Sequence, residues 1–344
     1  MMSTTITMGK AFNLPRKDRL FEYLASENLN RSLVRFTRGV LIPAVAMLVF
    51  LMLWSVGAKN VETSLGVLPG PAKVWEQAIS LYDEHSAERA KEAAFYERID
   101  KRVEKAIADG KPPERIEKLK SRQYTGRATF FDQTLTSLWT VMFGFIIASL
   151  IAVPIGIVCG MSSTLYQAVN PLIQLFKPVS PLAWLPLVTM VVSALYVSES
   201  PMFEKSFLTS AITVTLCCLW PTIIKTTVGV SGVDKDLINV SKVLRLNWVT
   251  KTLKIVLPSS IPMIFTGLRL SLGIGWLVLI AAEMLAQNPG LCKFVWDEFQ
   301  NGSSNSLARI MVAVLVIGFI GFLLDRAMLS LQRTFSWDKT AVLR

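Results

Sequence analysis

One histidine, His85, and four cysteines in 344 residues leave little material for metal or thiol chemistry. Cys159, Cys217 and Cys218 fall inside apolar runs and Cys292 stands alone in its loop, so neither a ligand cluster nor a disulfide framework is expected. A phosphate-cradling loop is missing too: the Gly-Lys pairs Gly9-Lys10 and Gly110-Lys111 are not followed by Ser or Thr. Gly-x-Ser-x-Gly and His-Glu-x-x-His are absent, and no enzyme and no bound cofactor is expected of this chain. Charge is scarce: 18% of residues are charged against 52% apolar, and long stretches carry none. A net charge of +11 in a soluble chain would raise nucleic-acid binding. Beside long apolar runs, excess Lys and Arg set membrane orientation instead, so nucleic acid is not an expected partner and lipid is. The composition is that of an integral membrane protein. The first apolar run follows a polar tail of 39 residues, which does not resemble a cleavable signal peptide.

Residues 40–58 are apolar and uncharged, long enough to cross a hydrocarbon core of about 30 Å. Further runs follow at 135–161, 178–197 and 207–224, and two less clean ones at 261–286, which holds Arg269 and Glu283, and 307–324, which holds Arg309. The N-terminal tail carries seven Lys and Arg, residues 225–258 carry six, and the stretch after Leu324 carries four. The connections 198–206 and 287–306 carry one each, Lys205 and Lys293. Six spans place the three basic segments on one side, so both termini and the 225–258 loop are expected in the cytoplasm and residues 59–134 outside. The expected organisation is a tail at 1–39, a first helix at 40–58, and an outer segment at 59–134. A core of five helices follows at 135–326, with its loop at 225–260, and then a tail at 327–344.

The outer segment holds fourteen basic and thirteen acidic residues. Leu68-Pro69-Gly70-Pro71 reads as a rigid turn, residues 87–108 as helix, Gly110-Lys111-Pro112-Pro113 as a break, and 114–123 as helix again. A charged helical hairpin over about 87–123 is expected, with an apolar stripe of Phe95 or Tyr96, Ile99, Val103 and Ile107. Either it docks on another surface or it is a solvated insertion. Gly156 and Gly160 form a small-xxx-small pair that suits close helix packing within one subunit or at a dimer seam.

Between the fourth and fifth runs, residues 237–246 suit a short amphipathic helix with Leu237, Val240 and Val243 or Leu244 on one face. A second stretch, 249–257, is expected to end at Pro258. Two short basic helices at the membrane surface would form a rigid knob, or an ordinary interfacial pair anchored by Trp248. Charges inside spans are costly unless paired. Arg269 and Glu283 are fourteen residues apart, about 21 Å along a helix, and Arg309 and Asp325 sixteen, about 24 Å. With the last two spans antiparallel, depths match for Glu283 with Arg309 and for Arg269 with Asp325, and two ion pairs are expected. The alternative for Arg309 is an anion-collecting group at the outer mouth. Helical spacing offers Thr189, Ser193, Thr209, Thr213, Ser271 and Gly275 as walls of a translocation path, since hydroxyls and exposed backbone can solvate a weakly hydrated anion. The bland reading is that these hydroxyls bond to their own helix carbonyls.

The spacing over residues 239–258 resembles the cytoplasmic loop of the permeases of binding-protein-dependent ABC importers, in which Glu-Ala-Ala, three residues and Gly precede a run ending in Leu-Pro. Thr266-Gly267-Leu268-Arg269-Leu270, Ala282-Glu283-Met284-Leu285 and Gly321-Phe322-Leu323-Leu324-Asp325-Arg326 resemble the nitrate, sulfonate and taurine branch. So do Leu68-Pro69-Gly70-Pro71 and residues 177–186. Trp296-Asp297-Glu298-Phe299, with the residues to 304, looks most like nitrate permeases. The likeness runs from 40 to 333, apart from the outer hairpin. Where the family prefers Glu-Ala-Ala and Gly, this chain has Asn239, Val240, Ser241 and Arg245. Without that Gly, residues 245–246 must turn with side chains in place, or the turn shifts to Asn247, which tolerates positive φ.

The resemblance implies an all-α type I importer permease of six spans (the MetI-like fold), a homodimer in a bacterial inner membrane. It implies cytoplasmic ATPase subunits that hold ATP and Mg, and a periplasmic or lipid-anchored binding protein that delivers a small anion, nitrate before sulfonate, taurine, bicarbonate or cyanate. The ATPase-coupling residues would be Leu237, Val240, Ser241, Lys242, Leu244, Arg245 and Pro258. The rival classes are a stand-alone channel or secondary carrier, and a membrane-anchored interaction module built on the hairpin. Secondary carriers commonly carry repeated halves, and no repeat is evident here.

Overall fold

The computed structural model describes Gly39 and residues 41–63, 66–197, 203–303 and 305–335. Most of the expected N-terminal tail, and the end of the C-terminal one, lie outside the described residues. The chain divides into two units, Met1–Thr63 and Ser64–Arg344. In the first, α1 (Ile42–Lys59) is a charge-free apolar helix up to its terminal lysine, about 27 Å long. Extended Glu62–Thr63 follows.

The second unit opens with α2 (Pro71–Ala108), and here the structure departs from the sequence reading. The expected hairpin leg begins at 87, whereas the helix begins at Pro71 and runs 38 residues. Proline in the first helical turn forfeits no hydrogen bond, so the residue read as part of a turn starts a helix. The second leg, α3 (Pro113–Lys120), has only 8 residues. Nor is the segment a free insertion. Val74 and Leu81 are buried, His85 Nδ1 lies 2.7 Å from Thr129 Oγ1, Arg89 pairs with Asp132 at 3.1 Å, and Glu84 pairs with Arg309. Farther out, Ile99, Val103 and Ala106 are buried, whereas Ile107, assigned to the same stripe, is exposed. Tyr124 Oη donates to Glu88 Oε1 at 2.7 Å, clamping the returning strand to α2. That bond holds the Glu88 carboxyl below its ordinary value and the Tyr124 phenol above its own.

Helix α4 (Phe130–Met161) starts with a capping box, Thr129 and Asp132. A break after Met161 leads to α5 (Ser163–Phe176) and α6 (Pro181–Leu195), which meet at 100°. The third run was expected as one span at 178–197. Alone, α6 is about 22 Å long, and amphipathic α5, which hydropathy did not separate, is held by Ile173 against Ala152 and Ile223. Then come α7 (Lys205–Ser231), α8 (Lys235–Val243), α9 (Trp248–Lys251), a π turn (Thr252–Val256), α10 (Leu257–Ala286), α11 (Leu291–Asn301) and α12 (Ser306–Phe335). Among the described residues five helices are long and apolar enough to span a membrane, and the bent α5–α6 pair makes six if counted as one span. The last helix overruns the expected boundary at 326 by nine residues.

Close packing centres on α7. A side chain at Gly156 or Gly160 would collide with Thr226 or Val230, and Thr227 Oγ1 donates to Gly156 O at 3.3 Å. The small-residue pair thus packs within the subunit. On the other side of α7, Gly229 and Gly267 admit Met263 and Lys225, and Ser271 Oγ donates to the Cys218 carbonyl. Trp276 Nε1 donates to Ile317 O at 3.0 Å, joining α10 to α12. The outer clamp is testable: Tyr124→Phe should raise tryptic cleavage at Arg122 and Arg127 severalfold and leave the span fragments protected, read by time-course electrophoresis.

Candidate functional site

The loop between α7 and α10 is built from local capping. Asp234 Oδ1 accepts from Asp236 N at 2.9 Å, opening α8. At the other end Leu246 N donates to Ser241 O and Arg245 N to Lys242 O, both at 3.0 Å, around Arg245 at φ +48°. This is the Schellman stop, whose left-handed position is normally glycine. The alternative in which the turn shifts to Asn247 does not hold: Asn247 has φ −68° and caps α9, accepting from Thr250 N at 2.8 Å. Its side chain was already engaged as a helix cap, so Arg245 takes the strained conformation. The second helical stretch does not end at Pro258 either. It passes through the π turn into α10, giving an unbroken 39-residue run, Trp248–Ala286, with Pro258 near the start of α10. Proline brings no N–H to a helix, and the wider π turn before it removes the need for one.

Of the proposed coupling residues, Ser241 is buried and its hydroxyl donates to Ile238 O at 2.6 Å. The others are on the surface. Leu237, Val240, Val243 and Leu244 are 43%, 51%, 82% and 63% exposed, with exposed Lys242, Arg245 and Pro258 beside them. The capped helix thus turns its polar serine inward and four apolar side chains outward.

The intramembrane charges divide differently from expectation. Arg269 and Asp325 form a two-bond fork, Nε to Oδ1 at 2.5 Å and Nη2 to Oδ2 at 2.8 Å. Glu283 does not pair with Arg309. Its wholly buried carboxylate accepts from Ser137 Oγ at 2.9 and 2.8 Å, from Cys292 N at 3.2 Å and from Asn288 Nδ2 at 3.4 Å, while Ser137 Oγ accepts from Leu291 N at 2.8 Å. It therefore sits on the N-terminus of α11, where backbone N–H groups and the helix dipole favour an anion. A side chain at Gly290 would strike that carboxylate. Arg309 is occupied by Glu298 at 3.2 Å and by Glu84, so it is not the free anion-collecting cation of the alternative reading. Matching depths on two spans could not foresee this, because α11, which crosses nothing, supplies donors to one charge and a carboxylate to the other. The turn signal Asn288-Pro289-Gly290 was the available hint. Burial pushes the Cys292 thiol up, so it stays protonated beside Glu283.

The path candidates do not converge. Thr189 and Ser193 lie on the exposed side of α6, Thr189 Oγ1 donating to Leu185 O at 2.8 Å. Thr209 and Thr213 are buried, the latter donating to Thr209 O at 2.8 Å. Ser271 and Gly275 are spent on the α7–α10 contact, Ser271 on a Cys218 carbonyl and Gly275 on the Cys218 thiol. Ser271 and Gly275 thus serve the α7–α10 contact, since hydroxyl and small residues suit close helix packing.

Among the described residues, five helices long and apolar enough to span a membrane, with an apolar-faced knob between α7 and α10, define a polytopic membrane protein. The family described as "binding-protein-dependent transport system inner membrane component" matches residues 152–336, and the chain belongs to it. The bicarbonate transport system permease protein CmpB of Synechococcus elongatus is 32% identical over 297 residues, 86% of this chain and 89% of that one. The nitrate import permease protein NrtB of Leptolyngbya laminosa is 34% identical over 205 residues, 59% of this chain and 68% of that one. Among solved structures, the MetNI methionine ABC transporter in inward-facing form shares the fold at TM-score 0.52 and 12% identity, over 60% of this chain and 95% of that one.

Substitutions at two positions test the geometry. Arg245→Gly should hold or raise the melting temperature of the detergent-solubilised protein, whereas Arg245→Val, β-branched in a left-handed site, should cost about 1–2 kcal/mol. Glu283→Ala strips acceptors from Ser137 and Cys292 N and should cost about 2–4 kcal/mol, with Glu283→Gln recovering part of it in the same thermal assay.

Proposed function

We propose that the chain is the permease subunit of an ATP-driven importer for a small planar oxyanion, nitrate first. It works as a homodimer in a bacterial inner membrane, with both termini and the 225–260 loop in the cytoplasm. Family membership and the anions named for its relatives support this reading, and the bicarbonate relative, aligned over more of the chain, supports bicarbonate as the second cargo. The single observation that carries the mechanism is the exposed apolar face of Leu237, Val240, Val243 and Leu244 on a knob continuous with α10. ATPase subunits, which bring ATP and Mg, receive that face in a groove, and Lys242 and Arg245 meet the groove's acidic rim. Buried apolar anchors carry most of such binding energy, and rim charges tune the encounter. Closure of the ATPases pushes the knob, the 39-residue helical run moves as a lever, and the Arg269–Asp325 fork passes the motion to α12. The spans reorient from outward to inward access and the anion, handed over by a binding protein, leaves to the cytoplasm.

Reconstitution tests both parts. Leu244→Asp should abolish ATPase assembly while the permease still inserts, and Arg245→Gly should leave assembly unchanged. In the intact complex, binding protein loaded with nitrate should stimulate ATP hydrolysis more than binding protein loaded with bicarbonate; the reverse order makes bicarbonate the cargo. Full assembly and stimulation by the Leu244→Asp protein would sink the coupling assignment.

A further inference from the structure

The outer arm carries a cleft that none of the transport argument uses. Where the end of α2 meets α3, a concavity of about 360 Å³ is lined by Arg102, Lys105, Lys111, Arg115, Lys118 and Arg122, with only Ala106 and Leu119 between them. All six cations are exposed, and among the described residues only Lys111 has a carboxylate within 4 Å, Asp109 at 3.5 Å. The acidic residues in the last turns of α2 face another way. At about 100° per residue, Glu97, Asp100 and Glu104 fall within about 60° of one another on α2, and Arg102 lies roughly opposite them. Trp75, Ile79 and Tyr82 share the acidic side and are 71%, 48% and 60% exposed. Ion pairs such as Glu97–Lys101 lie elsewhere on α2, whereas among the described residues the cleft cations other than Lys111 have no carboxylate within 4 Å, and unneutralised cations around a concavity repel one another.

We propose that this cleft is a docking site for an acidic surface segment of a soluble protein, namely the binding protein of the preceding section, on whose existence this inference rests. Six cations far exceed what a single monovalent anion requires, so the occupant is multiply charged. Anionic lipid is disfavoured by direction: a membrane touching α2 through Trp75, Ile79 and Tyr82 would meet Glu97, Asp100 and Glu104, while the cleft points away. Leu81, His85 and Arg89 anchor α2 near the starts of α4 and α12, and the cleft lies about 20–25 Å farther along the same helix. Such a contact orients an incoming partner and speeds its encounter, with strong dependence on salt.

The probe is a fluorescent deca-glutamate peptide, titrated by anisotropy into the full chain in phosphatidylcholine nanodiscs at low salt. Binding should weaken at least tenfold in the triple variant Arg115→Glu, Lys118→Glu, Arg122→Glu. It should change less than twofold in Lys73→Glu, Lys101→Glu, Lys120→Glu, which has the same net charge. Equal loss in both variants, or no loss in the first, overturns the proposal. So does displacement of the peptide when phosphatidylglycerol replaces part of the lipid, which would make headgroups the occupant. The readout needs neither ATP hydrolysis nor transport, so its failure leaves the permease reading standing. A failure of ATPase assembly likewise leaves the peptide result standing.

Discussion

A hydrocarbon slab offers no hydrogen bonds, and the architecture follows from that lack. Backbone groups in a span must find partners inside the protein, and several side chains do too, although Ser210, Thr222 and Thr226 bury hydroxyls without one. Thr213 turns to its own helix, Ser271 and Cys218 exchange bonds with each other's backbone, and Arg269 locks to Asp325. Glycines at 144, 156 and 160 let α4 approach α7 closely enough for Thr215 and Thr227 to reach carbonyls across the interface. Buried Glu283 is the extreme case, a carboxylate satisfied by neutral donors and a helix end in place of a cation.

Stiffness is the second consequence. The knob between α7 and α10 is held by its own short-range bonds. Its two helices are capped at both sides of the turn, the π turn carries the backbone past Pro258 without a break, and Thr252 Oγ1, which donates to Trp248 O at 2.8 Å, lies 3.2 Å from Met161 Sδ. The positive φ at Arg245 is retained although its usual glycine is gone, because the Schellman bonds of the α8 terminus over-determine it.

The charged arm of α2 and α3 obeys different physics because its surface is polar and exposed. Exposed ion pairs such as Glu97–Lys101 contribute little, and the arm is held by buried Val74 and Leu81 at one end and by Ile99 and Val103 under the returning chain at the other. Arg309 links the two regimes, reaching Glu298 within the span region and Glu84 on the arm.

The turn of the knob was open between Arg245 and Asn247, and the run through Pro258 was not foreseen. The membrane class, the rough places of the spans and the first short helix of the knob, by contrast, were legible from the amino acids alone. So was the Arg269–Asp325 pair, which followed from the depths of two neighbouring antiparallel helices. These features rest on local chemistry: apolar length, proline and glycine geometry, capping side chains and the rise of a helix. What only the tertiary structure decided is which distant groups meet. Glu283 and Arg309 were read as a pair because the sequence shows charges at one depth, but α11 folds between them and satisfies each separately. Gly156 and Gly160 could serve either of two interfaces until α7 was placed against them. Thr209, Thr213 and Ser271 have the same residue types whether they line a path or seal a contact, and only the fold shows them buried between helices of this chain. Partner choice depends on distances between segments far apart in the chain, and composition and periodicity carry no record of those distances.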